Sequence, residues 1–150
     1  MIGIIGAMEE EVAALKDAME IEETVEQAAM TFCKGTLCGK EVVIVRSGIG
    51  KVNAGICAQI LVDRFQVDTL INTGIAGSLD ARIDIGDMVI STDAVHHDMD
   101  ATIFGDPIGQ VPRMDVLFFP ADEALVQKAV QANEKANPDI HTFTGRVASG

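Results

Sequence analysis

The chain has 150 residues, a formal net charge of −12 and 48% apolar side chains, with a sequence pI near 4.4 and mean hydropathy of +0.26. That suits one packed domain over residues 1–150, and it excludes a disordered chain. The acidic balance has the wrong sign for non-specific nucleic-acid binding, and no basic amphipathic stretch or bilayer-length apolar run points to a membrane.

Ile2–Ile5 reads as a first strand, stopped by Gly6. The apolar start Met1–Met8 is too short for a signal peptide and meets three glutamates directly. Glu9, Glu10 and Glu11 open a helix, where negative charge suits the N-terminal dipole. Val12, Leu15, Ala18 and Met19 give that helix an apolar stripe. Glu20–Glu26 is acidic and reads as a loop or a strand start. Ala28–Leu37 and Glu41–Val45 read as a hairpin punctuated by Gly39-Lys40. Cys33, Cys38 and Cys57 are an odd count without a secretory signal, so they read as reduced thiols of a cytoplasmic protein. Cys33 and Cys38 lack a second ligand pair, which argues against zinc.

Arg46–Lys51 is a glycine loop, and Val52–Phe65 follows as a helix with Ile56, Ile60 and Leu61 on one side. Leu70–Leu79 then organises the chain: a short apolar run, read as a strand buried on both faces, breaks at Gly74 and Gly77. A buried strand ending in a glycine loop is where open α/β sheets bind ligands. Ile85-Gly86-Asp87 reads as a turn, and Met88–Ser91 as a strand. His96–Asp106 is polar, with Phe104 isolated inside it, and Gly105–Pro112 should be irregular. Asp122–Asn133 reads as a helix with Leu125, Ala129 and Val130 facing in, ended by Asn137-Pro138. His141–Ala148 reads as a last strand. Strand and helix alternate, so the expected fold is α/β, a three-layer α/β/α arrangement with a mixed central sheet. The stop at Ser149-Gly150, straight after a strand, suggests that the chain continues in the parent protein.

Several stretches could carry chemistry. Gly3–Met8 fails as a dinucleotide fingerprint, because G-x-G-x-x-G is absent and carboxylates occupy the helix start where pyrophosphate would sit. Ser47-Gly48-Ile49-Gly50-Lys51 lacks the upstream glycine of a Walker motif. Both failures point to a neutral or weakly charged ligand. Glu9 and Glu10 read as solvated first-turn residues. Glu11 lies at the edge of the apolar stripe, where partial burial would raise its pKa and suit it to general-base work. His96-His97-Asp98-Met99-Asp100 has metal-ligand types, but an extended segment scatters them to opposite faces, so no metal is expected. Phe104 with Pro107–Pro112 reads as an exposed apolar flap, a subunit contact or lid. Met8, Ile49 and Phe104 are equally open to being ordinary core.

Gly3-Ile-Ile-Gly-Ala-Met-Glu-Glu-Glu-Val12, Ser47-Gly-Ile-Gly-Lys51, Asn72-Thr-Gly-Ile-Ala-Gly77 and His97-Asp98 before Phe104 occur in that order. Together they resemble the 5′-methylthioadenosine/S-adenosylhomocysteine nucleosidases of the purine nucleoside phosphorylase superfamily. The resemblance covers the whole chain and implies a nucleoside phosphorylase-like fold, hydrolysis of an N-glycosidic bond, a homodimer, and no metal or organic cofactor. By the same resemblance Glu11 matches the general base that activates water. Met8 and Ile49 match residues around the ribose and alkylthio group, and Ala76 and Gly77 the backbone along the purine. Phe104 and Pro112 match residues offered to the neighbouring subunit's alkylthio pocket. Ile75 departs from the serine of many members, which weakens any phosphate site. The purine-protonating aspartate and the ribose-binding Met-Glu pair of the family would fall beyond residue 150. The alternatives are a nucleoside phosphorylase and a non-catalytic nucleoside-binding module.

Overall fold

β1 (Ile2–Gly6) is the strand on which the first half of the chain is built. It lies parallel to β4 (Lys40–Arg46) on one side and to β5 (Thr69–Asn72) on the other. β2 (Glu20–Gln27) and β3 (Met30–Leu37) extend the sheet by antiparallel pairing, giving the order β2-β3-β4-β1-β5. The computed structural model describes residues 1–150. They divide into two compact units, Met1–Ala76 and Gly77–Gly150.

The two-residue period of the strands explains the layering of the first unit. Ile4, Val42, Ile44 and Cys33 point to one face and pack with Val12 of α1 (Glu9–Ala18) and with Met19, the residue that caps its C-terminus. Ile5, Val43, Val45 and Phe32 point to the other, against Cys57, Ile60, Leu61 and Phe65 of α2 (Lys51–Phe65). Helices therefore cover opposite faces of a mixed sheet, the expected α/β/α arrangement. Phe32 and Phe65 stack across this core with ring centroids 5.3 Å apart.

Several expectations need correcting. β5 is not buried on both faces: Leu70 and Ile71 are 43% and 42% exposed, because β5 is the edge strand and the enclosed centre falls on β1 and β4. Ala18 is exposed, since six residues on from the fully buried Val12 lies about 120° off the stripe. Ile56 is 43% exposed for the same reason, at the margin of the stripe centred on Cys57 and Leu61. Ala28 and Ala29 are not strand but a two-residue turn, both with positive φ (52° and 61°), and β2 is a full strand. The second hairpin turns at Cys38-Gly39, also with positive φ at both positions, the geometry that matches strand twist.

In the second unit β6 (Met88–His96) pairs parallel with β8 (Thr142–Ser149) and antiparallel with the two-residue β7 (Phe119–Pro120). β6 runs five residues past the expected Ser91, and β7 had no sequence signal of its own. α3 (Glu123–Ala136) starts where the Asp122 side chain accepts from the Leu125 N–H at 2.9 Å. Leu125 is 38% exposed rather than inward. The buried α3 residue is Asn133, whose Nδ2 donates to Thr142 Oγ1 at 2.9 Å. The Gly105–Pro112 stretch is irregular, as expected. No helix is long and apolar enough to cross a membrane.

Candidate active site

The parallel pairing of β1 with β5 brings two strand ends together. Ile5 registers with Asn72, and the Thr73 N–H donates to the Ile5 carbonyl at 2.9 Å. The loop after β5 therefore arrives beside the start of α1. A helix start has unsatisfied N–H groups, and Met8, the residue capping α1, has no side-chain oxygen to offer them. Glu11, at the third helical position, folds back instead. Its Oε2 accepts from the N–H groups of Ala7 at 2.7 Å and Met8 at 2.9 Å. This is the reciprocal half of a capping box. Its Oε1 accepts from the Ile75 N–H at 3.1 Å, tying the helix to the loop after β5.

These bonds favour the ionised form of Glu11. Partial burial pushes its pKa up, but the N–H groups of Met8, Ile75 and Ala7 favour the ionised form and together win, holding it below the ordinary carboxylate value. The expected rise is thus corrected to a fall. A carboxylate has about four acceptor sites. Three are taken, two on Oε2 and one on Oε1, so Oε1 keeps room for one further donor.

Glu11 lines an open cavity of about 450 Å³ with Met8, Glu10, Thr73, Gly74 and Ile75. Glu9 is turned away into an ion pair with Lys16 Nζ at 2.8 Å. Of the residues singled out in the sequence, Met8 and Glu11 thus share one cavity. Ile49 is 74% exposed in the turn before α2 and is not part of the lining. Ala76 is exposed and follows Ile75 in the chain. Gly77, Phe104 and Pro112 belong to the second unit, Phe104 being 82% exposed at the end of a short 3-10 turn, Thr102–Phe104. His96 ends β6 with its ring edge-on to Phe119, centroids 6.0 Å apart. Sequence reasoning missed the part played by the Ile75 backbone. The Thr73-Gly74 break marked the place, but an N–H contact leaves no trace in residue identity.

Comparison with known proteins gives the family. The family model described as "Phosphorylase superfamily" matches residues 1–150. A relative from Colwellia psychrerythraea, named 5′-methylthioadenosine/S-adenosylhomocysteine nucleosidase, is 46% identical over 99% of this chain and 62% of its own length. A Geobacillus protein of the same name is 48% identical, over 99% of this chain and 63% of its own. The chain thus spans less than two thirds of the length of these relatives. The crystal structure of the Colwellia nucleosidase in complex with adenine superposes with a TM-score of 0.94, covering 99% of this chain and 61% of that one. The Neisseria meningitidis nucleosidase in complex with methylthio-immucillin-A gives 0.93 at 37% identity, covering 99% and 64%. On the evidence of a match along its whole length, the chain belongs to the phosphorylase superfamily.

Proposed function

We propose that the protein of which this chain is part hydrolyses the N-glycosidic bond of 5′-methylthioadenosine and S-adenosylhomocysteine, releasing adenine and the thioribose product. The observation that carries this reading is the Glu11 carboxylate, ionised, fixed by backbone N–H groups and open to one more donor on Oε1. The names of the relatives supply the substrate class.

In this mechanism the C–N bond stretches first and leaves a cationic, oxocarbenium-like sugar. Water, donating to Glu11 Oε1, bonds to the anomeric carbon and passes its proton to the carboxylate. The bond electrons leave with the purine, which takes a proton from a second acid. Met8 and Ile49 are assigned to the ribose and alkylthio group, Ala76 and Gly77 to the purine. Phe104 and Pro112 are assigned to the pocket of a neighbouring subunit in a cytoplasmic homodimer. Ile75 offers no hydroxyl to phosphate, which favours water as the nucleophile. The test is adenine release by the full-length protein in phosphate-free buffer. Turnover there is expected; an absolute need for phosphate, with a ribose 1-phosphate product, would replace the hydrolase reading by a phosphorylase.

A further inference from the structure

Glu11 lies between two backbone positions that carry no side chain. An ideal Cβ on Gly74 would stand 2.5 Å from Glu11 Oε1, 2.9 Å from its Cδ and 3.3 Å from its Oε2. A Cβ on Gly6 would stand 3.0 Å from Glu11 Cβ and 2.7 Å from Val12 Cγ1. Neither glycine has a positive φ. Their value here is therefore space rather than backbone freedom.

The two positions differ in what a side chain would displace. At Gly6 it would press on Val12, which is fully buried in the core beneath α1. At Gly74, in an exposed loop, the three nearest atoms all belong to the end of the Glu11 side chain. That end can swing away, but only by leaving the Ile75 N–H, its sole partner on Oε1.

We propose that Gly74 is a positioning residue for the general base. Its missing side chain is the gap that lets the Glu11 carboxylate seat on the Ile75 N–H, which aims the remaining acceptor site of Oε1 at the attacking water. The proposal rests on the reading of Glu11 as the base. Gly74 itself touches no reacting atom.

The test is Gly74→Ala in the full-length protein, assayed for adenine release, with Glu11→Gln and the double variant beside it. Misplacing a catalytic group by about an ångström costs on the order of a hundredfold in rate, so kcat should fall by about that factor with KM changing far less. The acid limb of the kcat/KM profile should move to higher pH, because a lost N–H donor no longer favours the ionised carboxylate. A purely structural role would not move that limb. The urea midpoint should fall by no more than in Glu11→Gln, since only the Ile75 bond is given up, and the double variant should be no slower than Glu11→Gln alone. Normal kcat and an unmoved limb in Gly74→Ala, with Glu11→Gln impaired, overturn the positioning role and leave the base reading standing. A collapsed urea midpoint makes Gly74 a folding residue and also overturns the role. Full turnover by Glu11→Gln removes the base reading itself.

Discussion

Replacing Glu11 by glutamine preserves shape while removing the charge and one acceptor oxygen. In the native site Oε2 serves two N–H groups and Oε1 a third. A glutamine that keeps Ala7 and Met8 on its carbonyl oxygen turns its amide nitrogen toward the Ile75 N–H, donor against donor. The opposite rotamer keeps Ile75 and sacrifices the other two. At least one bond to a charged acceptor is lost, so Glu11→Gln should destabilise the protein by about 1–3 kcal/mol, read from the urea midpoint. Turnover should suffer more: losing a general base costs about 10²–10⁴-fold, and the loss should fall on kcat with little change in KM. The assay is adenine release from saturating methylthioadenosine by the full-length enzyme. Glu9→Gln is the control, since Glu9 forms an exposed ion pair with Lys16 worth at most about 1 kcal/mol. Equal turnover by the two variants would reduce Glu11 to a helix cap and refute the mechanism.

Because the Glu11 pKa is lowered, the acid limb of kcat/KM should lie below the ordinary carboxylate value; a limb near neutrality would show that the base titrates elsewhere. The same shift makes ionised Glu11 stabilising above its unfolded-state pKa, and that contribution should fade as pH falls through the lower folded value, visible as a drop in urea midpoint absent from Glu11→Gln. The full-length protein should be a homodimer by light scattering at micromolar concentration, using α2, where Val52 and Ile56 are 77% and 43% exposed, and the Phe104–Pro112 stretch; a monomer would contradict this. Ala29→Gly should stabilise the protein by about 1 kcal/mol in urea, because Ala29 holds a φ of 61° that costs an L-residue about that much; an unchanged midpoint would mean the turn carries no such strain.

What the sequence showed well was whatever has a period or a marked stop. Val42–Val45 is apolar on both faces, and the structure buries all four residues. Asn137-Pro138 ends α3 where expected. What it concealed depended on neighbours. Leu70 and Ile71 look like the middle of a sheet, yet edge position leaves them partly exposed. The short pairing of Phe119 and Pro120 with Ala94 and Asp93 had no local signature. The place of Glu11 beside the stripe was legible, but the sign of its pKa shift was not. That sign depends on N–H groups of Ala7, Met8 and Ile75, and the last of these is 64 residues away in the chain.

The lowered pKa alters how the proposed mechanism should be understood. A raised pKa would make Glu11 a stronger proton acceptor but leave part of the population neutral. A lowered one keeps the carboxylate charged and weakens it as a base. For attack on an ordinary carbonyl that exchange would be costly. In the proposed reaction the electrophile is already cationic, and water bonding to it becomes more acidic as the new bond forms. Proton transfer can then come late and run downhill even to a weak base. The fixed negative charge meanwhile stabilises the sugar cation from the moment the C–N bond stretches. The donors that fix it are backbone groups of a helix start and a strand-end loop, already oriented before substrate arrives, so little reorganisation is needed at the reacting centre. The arrangement therefore favours electrostatic stabilisation over basicity, which is what a dissociative transition state asks of it.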